Sequence, residues 1–188
     1  MAPGWEDRWR SFHRPVRAGG LWIGPPWEAP PAGEQAIAID PGRAFGTGAH
    51  PTTRASIELL AHVPRGSVLD AGCGSGVVGI AAARLGFGPV VAVDLDPVAV
   101  KVARENVLAN GVSVDVRLAD VLADELPPAD VVVANIELAT VERLLGSIAA
   151  PRAVVSGYLA RDVLRAPGWR RIGRVQITGW AADSLIRD

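Results

Sequence analysis

The chain has 188 residues, 49% of them hydrophobic, which fits one domain burying about 70% of its unfolded surface and leaves little room for a second. A formal net charge of -1 gives no overall basic footprint for nucleic acid or membrane, so a protein or small-molecule substrate is favoured. The single cysteine, Cys73, excludes an internal disulfide and a cysteine-based metal cluster, and Met1-Ala2-Pro3-Gly4-Trp5 opens no signal peptide; a reducing cytoplasm is the expected compartment.

Residues 1–35 carry Trp5, Trp9, Trp22 and Trp27 among several prolines, too irregular for long elements and too aromatic for disorder. They read as a lead-in packed on a domain spanning 36–188. Within the lead-in, Arg10, Arg14 and Arg17 interleave with Trp9 and Phe12, a basic and aromatic patch that either docks a protein or seals the core. A loop over 40–51 precedes a helix over 52–62, in which Ile57, Leu60 and Ala61 share a face. Strands are expected near 67–71, 90–94, 113–118, 130–135 and 153–157, alternating with helices near 76–86, 97–110, 139–149 and 159–165. Two closing strands follow near 169–178 and 180–186. This alternation predicts a mostly parallel seven-stranded sheet with helices on both faces, the last pair adding an antiparallel edge. Three scattered histidines beside one cysteine argue against a metal site.

The chemistry is concentrated in Val68-Leu69-Asp70-Ala71-Gly72-Cys73-Gly74-Ser75-Gly76, an apolar run breaking into three alternate glycines. Such a strand–turn–helix start lets a ligand touch backbone. A second apolar run ends at Asp94, close to the spacing at which a βαβ unit delivers a carboxylate to a ribose diol. The dinucleotide fingerprint is incomplete, because Val77 stands where its third glycine or alanine belongs. Asp70 places a negative charge beside the turn, which opposes a phosphate and suits a ligand bearing an ammonium and a sulfonium. S-adenosylmethionine is that ligand, with a nicotinamide cofactor as the weaker alternative.

Several polar residues carry two readings each. Asp94 is a ribose ligand or the start of the next helix, for which Asp96 is the better cap. Asp120, ending the third strand pattern, offers a carboxylate to the adenine amino group or turns the chain at the surface. Asn135 closes the apolar run Val131–Ala134, where a buried amide is costly unless used. Glu137 accepts a proton from a substrate amine or answers a helix dipole. His50 touches ligand or holds its loop, and Cys73 is a packing residue rather than a nucleophile.

A second motif, Asp40-Pro41-Gly42-Arg43-Ala44-Phe45-Gly46-Thr47-Gly48-Ala49-His50-Pro51-Thr52-Thr53, reads as a ligand cover with Phe45 as an apolar lid and Thr47 as a hydroxyl donor. This segment resembles that of the ribosomal protein L11 methyltransferase (PrmA) family. The similarity continues through Trp22-Ile23-Gly24-Pro25-Pro26-Trp27, Asp70 to Gly76, Asp94-Leu95-Asp96-Pro97, Val131 to Ile136 and Ser156-Gly157-Tyr158-Leu159-Ala160. The resemblance implies a Rossmann-like class I S-adenosylmethionine-dependent methyltransferase, with Thr53, Gly72, Asp94 and Asn135 contacting the cofactor. It also implies N-methylation of lysine or amino groups on a protein, a ribosomal protein first among candidates. A small-molecule methyltransferase and a non-catalytic S-adenosylmethionine-binding protein are the alternatives. The candidate cofactor set is therefore Phe45, Thr47, Thr53, Asp70, Gly72, Gly74, Asp94, Asp120 and Asn135, with Asn135 positioning the acceptor and Glu137 as proton acceptor. Family members that act on the ribosomal protein usually carry a separate amino-terminal recognition domain, and the present sequence is expected to lack it.

Overall fold

The computed structural model describes residues 14–40 and 46–188. Its main sheet is built from β4 (Val68–Ala71), β5 (Val90–Asp94), β6 (Asp115–Leu118), β7 (Val131–Asn135), β8 (Arg152–Leu159), β9 (Trp169–Ile177) and β10 (Trp180–Arg187), in the order β6-β5-β4-β7-β8-β10-β9. The pairs from β6 to β8 are parallel, and β10 is antiparallel to both its neighbours. Val131, Val132, Val133 and Ala134 are wholly buried, as befits a central parallel strand covered on both faces. Strand order reverses at β4, whose successor β5 lies on one side and β7 on the other, so a crevice opens at their carboxyl ends.

Among the described residues four helices cover the sheet: α1 (Pro51–Ala61), α2 (Val77–Arg84), α3 (Pro97–Ala109) and α4 (Leu138–Ser147). Side-chain parity sorts them. Val68, Ala92, Val131, Val133 and Val154 pack with residues of α1, α2 and α3, whereas Leu69, Ala71, Val132, Ala134 and Val155 pack with Val141, Leu144 and Leu145 of α4. Each fully buried Leu or Ile in these layers contributes about 1.5–3 kcal/mol. Capping follows the sequence: Asp96 accepts a 2.8 Å bond from the Val98 N–H with Pro97 in the first turn of α3, and His50 caps α1 ahead of Pro51. No helix among the described residues is long and apolar enough to cross a membrane.

Two features depart from expectation. A small sheet of β1 (Val16–Ala18), β2 (Leu21–Gly24) and β3 (Ala36–Ala38) joins residues on both sides of position 36 and buries Leu21, Ile23 and Ile37 with Ile57 of α1. Strands of three or four residues are too short to show alternation. Within it Arg17 is tied to Glu34 at 2.6 Å, an exposed pair; Trp5, Trp9, Arg10 and Phe12 lie outside the described residues. The predicted helix near 159–165 is absent. β8 instead runs to Leu159 because Tyr158 and Leu159 pair with Ala181 and Trp180, after which Asp162 accepts the Leu159 N–H at 2.8 Å and closes a turn. Pro167 and Gly168 then leave too few residues for a helix before β9. The second sheet face thus has α4 as its helical cover among the described residues, completed by irregular chain.

Candidate active site

The carboxyl ends of β4, β5 and β7 surround a cavity of about 460 Å³ reached by Gly72, Gly74, Asp94, Asn135, Ile136 and Glu137. That is the size of a pocket for a nucleoside-sized ligand. The turn after β4 is fixed by its own backbone: Gly72 and Cys73 N–H groups both donate to the Val93 carbonyl at 2.9 Å. Gly72, Gly74 and Gly76 hold φ of 76°, 54° and 80°, the left-handed region that a side chain resists. Asp94 completes the brace, its Oδ2 accepting from Gly74 N–H at 2.8 Å and its Oδ1 from Asp96 N–H at 3.0 Å. Each carboxylate oxygen retains acceptor capacity toward the cavity, which is what a pair of ribose hydroxyls requires. Leu95 and Val98 are 69% and 59% exposed and face the cavity with Ala119 and Val121, an open apolar slot suited to a flat ring.

Opposite that slot, Asn135 ends β7. Its Nδ2 donates to Thr53 Oγ1 at 3.2 Å, and Thr53 is buried in the first turn of α1. The helix terminus is fixed in turn by His50, whose Nδ1 accepts from Thr52 N–H and whose ring meets Trp180 edge-on at 4.9 Å. Burial lowers the His50 pKa and so favours the neutral ring this cap uses. With Nδ2 engaged, the Asn135 Oδ1 is the part of the amide left for a donor entering the cavity. Glu137 stands at the rim in the N-cap position of α4 without a side-chain cap bond, accepting from Thr140 Oγ1 at 3.4 Å.

One contributor has a role that motif reading did not assign. Gly157 of β8 has φ 103°, and a Cβ there would stand 1.9 Å from the Ile136 carbonyl oxygen. On its other side Ile136 meets the glycine turn, where a Cβ on Gly72 would lie 2.4 Å from Ile136 Cγ2. The Asn135–Ile136 step is held between two side-chain-free positions. An isolated glycine inside the predicted strand 153–157 is the local signal for such close approach.

The family model described as ribosomal protein L11 methyltransferase (PrmA) matches residues 2–161. The chain belongs to the PrmA family. A ribosomal protein L11 methyltransferase of Symbiobacterium thermophilum is 42% identical over 167 residues, covering 86% of this chain and 55% of its own length. The Geobacter sulfurreducens protein of the same name is 44% identical over 179 residues, covering 90% and 60%. The PrmA-family chain thus spans little more than half the length of these relatives. The crystal structure of ribosomal protein L11 methylase from Lactobacillus delbrueckii subsp. bulgaricus superposes with a TM-score of 0.81 at 27% identity, over 94% of this chain and 100% of that one. TrmN from Thermus thermophilus follows at 0.57 and 27%, over 71% and 47%. The fold is the Rossmann-like class I methyltransferase fold.

Other sequence-selected residues of this PrmA-family chain do not reach the cavity. Asp70 is buried and its Oδ2 accepts from Gly79 N–H at 2.8 Å, joining β4 to α2 behind the glycine turn. Asp120 is exposed and its Oδ1 accepts from Leu122 N–H at 2.9 Å, which is the surface-turn reading. Thr47 accepts from Ala49 N–H at 3.4 Å and faces a small separate crevice with Ile23 and Ile39. Phe45 lies outside the described residues. Burial pushes the Cys73 thiol up, which suits packing and opposes a nucleophilic role.

Asp70 gives a pH prediction. Burial raises its carboxyl from 3.8 to about 7, against the Gly79 bond, with the nearby Asp94 charge adding to the rise. The folded chain keeps this proton where the unfolded chain has lost it, so the stabilising contribution is full below about pH 4 and lost as pH rises through about 7. Asp70→Asn keeps an acceptor for Gly79 and removes the titration. Urea unfolding across this range should show wild type losing a few kcal/mol relative to the variant between the two pH values. Parallel stability profiles would refute the assignment.

Proposed function

We propose that the chain is an S-adenosylmethionine-dependent methyltransferase that methylates amino groups of a ribosomal protein, with L11 the substrate. The observation that carries this reading is the juxtaposition of the Asp94-braced glycine turn with Asn135, whose amide is locked by Thr53 at the cavity edge. Its relatives' names supply the substrate class. Gly72, Gly74 and Asp94 would hold the polar part of the cofactor, with Leu95, Val98 and Val121 against its base. When bound, the cofactor supplies a methyl group activated by a sulfonium. The natural compartment for such an enzyme is the cytoplasm, where ribosomal proteins are made.

The residues around the cavity mainly align the acceptor and exclude water. A lysine amine with a reference pKa near 10.4 must shed a proton, a cost of about 4.6 kcal/mol at pH 7 that desolvation in the cavity reduces. Asn135 Oδ1 and the Ile136 carbonyl orient the amine's remaining hydrogens, pointing its lone pair at the methyl group. Glu137 at the rim receives the released proton.

The test is incubation of the chain with labelled S-adenosylmethionine and purified L11, followed by location of the label. Label in L11 is expected; label confined to small molecules, or tight nicotinamide dinucleotide binding without S-adenosylmethionine binding, overturns the reading. Asn135→Ala should cut single-turnover rate by tenfold or more while S-adenosylmethionine affinity changes far less. If both fall equally, Asn135 is a binding residue only. Glu137→Gln should shift the pH–rate profile; an unmoved profile returns Glu137 to the helix terminus.

A further inference from the structure

Strand β8 carries one residue more than β10 can pair. Ser156 lies opposite Ala182 and Tyr158 opposite Ala181, so Gly157 is the unpaired residue of a β-bulge. The bulge shifts side-chain parity. Ala153 and Val155 pack on the α4 face, and beyond the extra residue it is Tyr158, not Gly157, that continues this face with Ala181 and Leu185 of β10. Gly157, at φ 103°, is left against the Ile136 peptide, and Ile136 lines the cavity.

The two side chains flanking Gly157 cross the bulge in opposite senses. Ser156 Oγ donates at 2.7 Å to the carbonyl of Ala181, the residue opposite Tyr158. The Tyr158 hydroxyl donates at 2.8 Å to Oδ2 of Asp183, the residue opposite Val155. Burial first, then the Asp183 charge, raises the phenol's pKa above its ordinary value, which keeps that proton in place. Asp183 is itself wholly buried and held from β9. Arg174, directly opposite it, donates from Nε and Nη2 at 2.7 and 2.8 Å, and Arg171 completes the ion pairing at 3.7 Å. Arg174 Nη1 also donates to the Ala160 carbonyl at 3.4 Å, just past the end of β8.

Such a group is costly unless every member stays where it is. A buried ion pair adds little net stability over an apolar one, yet any displacement that removes its donors leaves a charge stranded in the interior. A one-residue slip pairing Gly157 with Ala181 would send Tyr158 to the opposite face and strip Asp183 of its hydroxyl donor. None of these three side chains enters the chemistry already described.

We propose that Arg174, Asp183 and Tyr158 form a relay of positioning residues for methyl transfer, which pins the bulge at Gly157 and through it the Asn135–Ile136 step at the acceptor site. The proposal rests on the methyltransferase reading above. Tyr158→Phe tests it with the loss of a single hydroxyl, leaving Asp183 to its two arginines.

In Tyr158→Phe, kcat on L11 should fall about tenfold while KM and S-adenosylmethionine affinity stay within about twofold of wild type. Leu185→Val is the control, a cavity-forming change on the same strand and face but opposite Ala153; it should lower the melting temperature and leave kcat unchanged below the transition. Asp183→Asn keeps an acceptor for the hydroxyl, and combined with Tyr158→Phe it should lose no more rate than the larger single change. Amide hydrogen exchange reads the linkage without turnover: segments 153–159 and 134–138 should both exchange roughly threefold faster in Tyr158→Phe, with 68–71 unmoved. Unaltered kcat in Tyr158→Phe, an equal loss in Leu185→Val, additive losses in the double variant, or exchange over 134–138 as slow as in wild type overturns the proposal. If wild type leaves L11 unmethylated, the substrate reading fails; the exchange comparison then decides the relay separately.

Discussion

Gly157→Ala is expected to lower turnover at least a hundredfold while leaving S-adenosylmethionine affinity within a few-fold of wild type. The new Cβ would fall 1.9 Å from the Ile136 oxygen, 2.6 Å from its carbonyl carbon and 2.9 Å from its nitrogen, so backbone must move. β8 is held on both sides of Gly157, with Asn135 opposite Ser156 and Ala181 opposite Tyr158, and Gly157 is the unpaired residue of a bulge between them, its neighbours limiting how far it can withdraw. The Ile136 peptide yields, and it borders the cavity. A displacement of about 1 Å at a positioning group costs roughly a hundredfold in rate. The variant also bears a side chain at φ 103°, a strain of about 1–3 kcal/mol that lowers its melting temperature. Rates are therefore compared below the melting transition, with cofactor affinity from calorimetry. Full turnover, or an affinity loss equal to the rate loss, would remove Gly157 from the positioning of the acceptor.

Why the sequence revealed some of this and hid the rest follows from the range of the interactions. β5 and β7 are apolar runs ending at Asp94 and Asn135, and β4 is a short run interrupted by Asp70 and ending at Gly72, so their ends could be gathered at one edge from the chain alone. Asp70 and Asp120 share the residue type of Asp94 but not its outlook. In β4, Val68 and Asp70 face α2 while Leu69 and Ala71 face α4, a parity that places the Asp70 carboxyl under Gly79 rather than in the cavity. The strand after Pro151 extends past the expected end at 157 because its partner, β10, lies more than twenty residues later, beyond any local pattern. The same nonlocal pairing erased the helix near 159–165. Thr53 was legible through family resemblance; its bond to Asn135, 82 positions away, was not.

Asp94→Ala is expected to weaken S-adenosylmethionine binding by at least tenfold, and two separable losses produce it. The first is direct: charge-assisted bonds from the carboxylate to ribose hydroxyls contribute about 1.5–3 kcal/mol each, so removing even one costs more than a factor of ten. The second is architectural, since the same carboxylate accepts from Gly74 and Asp96 N–H groups and ties the glycine turn to the start of α3. Asp94→Asn separates them. Its amide oxygen can still accept from one backbone N–H, while its charge is gone and its nitrogen donates where Asp94 accepted. If the brace dominates, Asp94→Asn recovers much of the affinity that Asp94→Ala loses. If ribose recognition dominates, the two variants bind alike. Calorimetric affinities near those of wild type for both variants would dismiss Asp94 as a ligand and leave it as a turn residue. Adenosine distinguishes the parts further, because it keeps the ribose and omits the charged tail: the free-energy loss on Asp94→Ala should be nearly the same for adenosine as for S-adenosylmethionine.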